Sequence, residues 1–259
     1  MSSAGYGSTA ASAALARRAL SAQRQWWIDH LSPVRDRVRA VGVVRAAPAS
    51  LGLLLASLVA TASVRLPSPV QHAANGIFLY RGRDLHTAAA TYRLPLSALL
   101  AQSWPQWMWT AVVAVILFAP LEVRVGPARL LLCVFAGQVL STAVADFLVN
   151  TGGHTAELAA PDYGTSCLVV SAAAGYAWFV RSRLLTAVLS AGLCVDAVLS
   201  ASQTVTEHWI AAGAGLVVLA YRAPTSSLAT RRRASAFSPA ASLRHYSPSR
   251  LGPHAAFWW

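Results

Sequence analysis

An all-α, polytopic membrane protein is the fold class this sequence predicts, and three observations carry that expectation. The chain is 56% hydrophobic and only 12% charged, with mean hydropathy +0.49, against about 45–50% apolar and about 25% charged in soluble domains. Six apolar stretches lie near 49–66, 106–121, 128–148, 163–180, 184–203 and 206–221. The basic residues are all arginine and flank those stretches rather than gathering on one soluble face, so the net charge of +12 reads as a topology signal and not as a nucleic-acid surface.

The stretches divide the chain into a basic N-terminal segment (1–47), a membrane domain (48–222) and a basic tail (223–259). In the first segment, 10–39 is compatible with an amphipathic helix: Leu15, Leu20, Trp26, Trp27 and Leu31 alternate with Arg17, Arg18 and Arg24. Such a helix is suited to an anionic leaflet, and a partly disordered basic leader is the other reading. About 45 residues of polar and basic chain precede the first apolar stretch, unlike the short charged region of a cleaved signal peptide.

Several stretches are shorter than the ~20 residues a spanning helix usually needs, which suggests tilted helices or local thinning of the bilayer. A connection of about 40 residues joins the first stretch to the second and ends in Trp104, Trp107 and Trp109, the aromatic belt expected at a membrane interface. The tail is rich in Ser, Pro and Arg without hydrophobic period, which predicts disorder. Cys133, Cys167 and Cys194 sit inside apolar stretches, where a thiol packs as a small apolar residue; no disulfide framework or Cys-x-x-Cys occurs.

Orientation follows from arginine placement, because short cytoplasmic segments carry the excess positive charge. With the N-terminus inside, the cytoplasm holds seven arginines of the leader, Arg124, Arg129, Arg181, Arg183 and six from Arg222 onward. The connections 150–162 and 200–207 on the other side contain none. This arrangement implies an even number of spans with both termini cytoplasmic, in the cell membrane.

Two residues then acquire chemical interest. Ser166 and His208 each lie about one turn into an apolar stretch, on the same outer side. A serine hydroxyl is a weak nucleophile until a positioned base activates it, so a Ser and a His at equal depth form a candidate catalytic pair. Asp162 sits four residues before Ser166 on the same helical face and is expected to cap the helix, since Asp accepts bonds from first-turn amides; a role in a polar cavity is the alternative. Asp146 and Asp196 lie deeper in apolar stretches, where an acid is costly unless paired, and are expected to face inward and hold hydrogen-bond networks. His154, Glu157, Asp162, Glu207 and His208 share the outer side, but no His-Glu-x-x-His or comparable metal spacing appears.

Several separated features resemble the rhomboid intramembrane proteases and the rhomboid-like proteins of actinobacteria, over roughly 48–222. Glu122-Val123-Arg124-Val125-Gly126-Pro127-Ala128-Arg129 is similar to that family's Glu-x-Arg-x-Gly-x-x-Arg connection between its second and third helices, and the spacing onward to Gly164-x-Ser166 and His208 also fits. The resemblance implies a six-helix bundle with Ser166 as nucleophile on the fourth helix and His208 as base on the sixth. The two would meet in a water-filled cavity open to the outside, with no metal or organic cofactor. Small residues Gly164, Ala172, Gly175, Ala211 and Gly215 would let those helices approach closely.

The sequence departs from the family in three places. Cys167 replaces the glycine that usually follows the serine. Gln106 and Thr110 occupy the second-helix positions of a His and an Asn that assist the oxyanion. Ala211 stands where the sixth helix usually has its first glycine. Two functions follow: cleavage of single-span membrane proteins by a Ser-His dyad, or binding of such proteins as clients without catalysis. A small transporter would use Asp146 and Asp196, but paired broken helices in inverted repeats are not evident.

Overall fold

A computed structural model describes residues 6–67, 69–153, 157–199 and 202–221, and it is all-α apart from one pair of two-residue strands. The tail expected over 223–259, and His154, lie outside the described residues.

The leader is helical: α1 spans Tyr6–Val41, longer than the amphipathic run. Gly42 turns the chain into the short α2, Val43–Ala46, and then α3, Pro48–Ser63, which opens with its proline in the first turn. The long connection has structure of its own, with α4 at Val70–Phe78, β1 at Tyr80–Arg81 and α5 at Ala90–Ser97. Two longer helices follow, α6 over Trp104–Val125 and α7 over Pro127–Thr151. After β2, Pro161–Asp162, come α8 at Thr165–Val180, α9 at Arg183–Leu199 and α10 at Ser202–Ala220.

Among the described residues α6 and α7 are long and apolar enough to cross a membrane, while α3 and α8 are apolar but shorter. Polar side chains are buried inside a largely apolar core, and large apolar side chains also face outward. Ser50, Thr61, Gln138, Ser141, Thr142, Asp146 and Ser171 are buried, whereas Met108, Trp109, Val115, Leu132, Phe147, Val188, Val195 and Val217 are exposed.

Helices α7, α8 and α10 pack mutually at the centre, and small residues make this possible. A methyl group on Gly215 of α10 would lie 2.0 Å from the Ser171 carbonyl oxygen of α8. Ala172 and Ala211 are fully buried in the same region. Ser171 Oγ donates to the Cys133 carbonyl of α7 at 2.7 Å, so its hydroxyl is satisfied while the backbones stay close.

The Glu-x-Arg-x-Gly element ties the leader to the bundle. Glu122 is buried and accepts from Ala49 N at 2.9 Å and from Ser50 N and Ser50 Oγ, both at 2.7 Å. These are first-turn groups of α3, which lack partners in their own helix and favour negative charge. Arg124 donates to the Pro120 and His30 carbonyls, both at 3.2 Å, and its guanidinium lies 5.5 Å from the centre of the Tyr176 ring. Gly126, at φ 89°, makes the turn into α7.

Pro120 has a further consequence inside α6. It supplies no amide to the Ile116 carbonyl four residues earlier, and its ring crowds that carbonyl. The helix answers with a π turn over Ala114–Phe118, and α1 contributes a donor: His30 Nε2 lies 2.9 Å from the Ile116 oxygen. That bond puts the proton on Nε2, so Nδ1 accepts from Tyr176 Oη at 2.8 Å. Burial and the nearby Arg124 hold the His30 imidazole below its ordinary pKa, against the opposing effect of the Ile116 bond. The leader is thus docked through a neutral histidine stacked on Trp26.

Candidate functional site

At the far end of α8 from Tyr176, a cavity of about 480 Å³ is lined by Gln106 of α6, Asp146 of α7, Asp162 of β2, Ser166 of α8, Asp196 of α9, and Gln203, Glu207 and His208 of α10. Residues far apart in sequence reach it because each helix is anchored by local chemistry. Ser103 caps α6, accepting from Gln106 N at 3.3 Å, and Pro105 sits in the first turn where an amide is dispensable. This sets Gln106 at the rim.

Ser166 is the second residue of α8. Its own amide is therefore among the first-turn donors that no carbonyl of the helix can satisfy. Gln106 Oε1 accepts from Gln102 N, which leaves the Gln106 NH₂ as an available donor. Thr110 is not brought to the cavity. It is buried, and its hydroxyl donates to the Gln106 carbonyl at 3.0 Å; a hydroxyl one turn below a helical carbonyl readily bonds back in this way. Cys167 is buried and stays out of the cavity lining, but its thiol is within hydrogen-bonding reach of the Ser166 side chain.

The helix-cap expectation for Asp162 is overturned. Helix α8 starts at Thr165 with Gly164 in the cap position and no side-chain cap bond. Asp162 is instead drawn into the antiparallel pairing of Tyr80 with Asp162. Its carboxylate takes bonds from Ser97 Oγ at 2.9 Å and Gln138 Nε2 at 2.8 Å. Burial pushes the Asp162 carboxyl above the usual carboxylate range, opposed by the hydrogen bonds from Ser97, Thr142 and Gln138. Of the two roles considered for it, the polar-cavity one matches this placement.

The deeper acids are each engaged. Tyr80 Oη donates to Asp146 Oδ2 at 2.8 Å and Gln203 Nε2 donates to Asp146 Oδ1 at 3.0 Å. Burial, with Asp146 beside it, pushes the Tyr80 hydroxyl well above its ordinary value, so it remains a donor. Gln203 Nε2 also reaches Glu207 Oε1 at 3.4 Å. Asp196 Oδ2 lies 2.7 Å from His208 Nδ1.

The other ring nitrogen is the unusual atom. His208 Nε2 is buried and has no hydrogen-bond partner, and no bond joins it to Ser166, although both residues line one cavity. Buried polar atoms are partnered in the great majority of cases. A neutral imidazole with Nδ1 occupied and Nε2 bare is equipped to accept a proton.

Tyr80, Gln138 and Gln203 are the residues of this polar region that sequence reasoning missed. Their only signal is an amide or hydroxyl in or near an apolar run. Among the described residues no group of three or more His, Cys, Asp and Glu side chains is arranged to hold a metal ion. The chain matches no protein-family model, no curated protein and no solved structure.

Proposed function

We propose that this chain is a rhomboid-like, multi-pass integral membrane protein with six spanning helices and both termini cytoplasmic, and that it cleaves single-span membrane proteins with Ser166 as nucleophile and His208 as base. The large apolar side chains on the exterior, together with the polar groups buried in the core, support the membrane reading, since a spanning bundle turns its polar side chains inward. The arginine distribution supports the orientation.

One observation carries the catalytic reading: a buried, unpartnered His208 Nε2 in a polar cavity that Ser166 also lines. Ser166 Oγ attacks the scissile carbonyl carbon as its proton passes to Nε2, and the carbonyl electron pair moves onto oxygen. The Ser166 amide and the Gln106 NH₂ are the donors available to that oxyanion. His208 returns the proton to the leaving amine, and water, activated by the same nitrogen, releases the acyl group. The polar cavity admits the water that hydrolysis needs at this depth.

The test is labelling of the purified protein by a serine-reactive fluorophosphonate, together with cleavage of a single-span substrate in liposomes. Labelling and cleavage that vanish in Ser166→Ala are expected. Equal labelling of the two proteins would sink the reading.

The missing Ser166–His208 bond and the withdrawn Thr110 hydroxyl favour a second reading, a client-binding protein without catalysis. In that case single-span proteins crosslink equally to wild type and Ser166→Ala, and no labelling occurs. Failure to crosslink any such protein counts against it.

A further inference from the structure

We infer that Asp196 is a positioning residue that fixes His208 in the Nδ1–H tautomer, so that the pair at the cavity is a Ser166–His208–Asp196 triad rather than a two-residue dyad. The inference rests on the protease reading of Ser166 and His208 given above.

The geometry is specific to one carboxylate. Four acids line the cavity, and the bonds of three of them lead elsewhere. Asp146 is held by Tyr80 and Gln203, Asp162 by Ser97 and Gln138, and Glu207 by Gln203. Asp196 alone among them bonds His208, at 2.7 Å, and both side chains are largely buried, 13% exposed for His208 and 18% for Asp196. The contact joins α9 to α10.

A carboxylate only accepts, so the imidazole must present Nδ1–H to it, and the lone pair then resides on Nε2. Nε2 is the buried atom that lacks a partner. Asp196 therefore does two things for the reaction. It keeps the basic nitrogen free for the Ser166 proton, and it stabilises the imidazolium that forms when that proton arrives, without taking the proton itself. An acid placed in an apolar helix is costly unless it is paired, and this pairing accounts for its position.

Asp196→Asn tests the idea because it keeps the shape and can reverse the hydrogen bond. With its NH₂ turned to Nδ1, the Asn moves the imidazole proton to Nε2 and blocks the base. With its oxygen turned there, Nδ1–H persists on a neutral acceptor that stabilises the imidazolium less. The tautomer is read directly from ¹⁵N-histidine NMR of the detergent-solubilised full chain, with His208→Gln identifying the signal. Wild type is expected to show Nδ1–H, and Asp196→Asn to show Nε2–H where its NH₂ faces the ring. The fluorophosphonate labelling rate should fall by about 10²- to 10⁴-fold, the range expected for a wrong tautomer. Substrate KM should be little changed, and Asp196→Glu should recover part of the rate.

Nε2–H in wild type, or an unchanged tautomer together with an unchanged labelling rate in Asp196→Asn, overturns the inference. An unchanged labelling rate in Asp196→Asn, with the tautomer switched, overturns the role in the reaction. Should wild type never label while the tautomer switches as expected, the protease reading fails and the hold of Asp196 on His208 stands. Folding of each variant is checked by the remaining histidine signals, which a local tautomer change leaves in place.

Discussion

Ten positions along α8, about 15 Å at 1.5 Å per residue, separate Ser166 from Tyr176, and the polar groups around these two side chains are held in opposite ways. Near Tyr176, Glu122 accepts three bonds through its two oxygens, His30 uses both ring nitrogens, and Arg124 reaches three carbonyls and an aromatic face. Near Ser166, His208 Nε2, Gln138 Oε1 and Thr165 Oγ1 are buried with no partner. A fully satisfied network rigidifies a fold, whereas bare buried polar atoms raise its energy until something meets them. The contrast separates frame from candidate site within one set of helices.

Removing a member of the satisfied network should cost the most. Glu122→Ala strands two amides and a hydroxyl at the start of α3, and each buried donor left alone costs about 1–3 kcal/mol. A loss on the order of 3 kcal/mol or more is expected in detergent unfolding, with Glu122→Gln retaining part of it. Stability unchanged in Glu122→Ala would break the distinction between the two ends.

At the cavity the expected losses are of rate and not of fold. On the protease reading, Gln106→Ala removes an oxyanion donor and should slow fluorophosphonate labelling about 100-fold at unchanged thermal stability. Thr110→Val should leave the rate nearly unaltered, because that hydroxyl serves the Gln106 carbonyl. The reverse ranking would reassign the donor.

The mildest effect concerns pH. His30 is held below its ordinary value of 6.5 by burial, so the unfolded or undocked chain binds the proton more readily. Stability from docking is then complete above pH 6.5 and declines as the pH falls below that value toward the lowered one. Hydrogen exchange in 24–41, corrected for intrinsic rates, should rise over that window in wild type and lose its pH step in His30→Gln. A step that persists in the variant would assign the titration to another group.

Much of the frame was legible because it is written in local patterns. Apolar runs marked the helices to within a few residues, and Gly215 with Ala211 marked the close contact with α8. What escaped depends on partners remote in sequence. Asp162 had the signature of a cap, but Tyr80 pairs with it from across the long connection, and no periodicity carries that information. The polar exterior of the leader hid a single buried His30 whose partners lie on α6 and α8. Asp196 was legible as an inward acid, yet its engagement with His208 depends on how α9 and α10 turn against each other.

Sixteen positions separate Gln106 from Glu122, and at about 100° per residue a regular helix would aim them about 160° apart. The π turn at Ala114–Phe118 accommodates one extra residue, which takes back about 100° and leaves the two about 60° apart. That turn works as a phase corrector between two otherwise unrelated jobs of α6: lining the cavity with one end and anchoring α3 with the other. A chain shortened by a single residue there would keep its hydrophobicity and its length to within one rise of the helix. It would close into a regular helix whose fifteen steps of about 100° leave the same angle of about 60°, so the π turn is the stretch of α6 where the loss of one residue keeps both ends in phase.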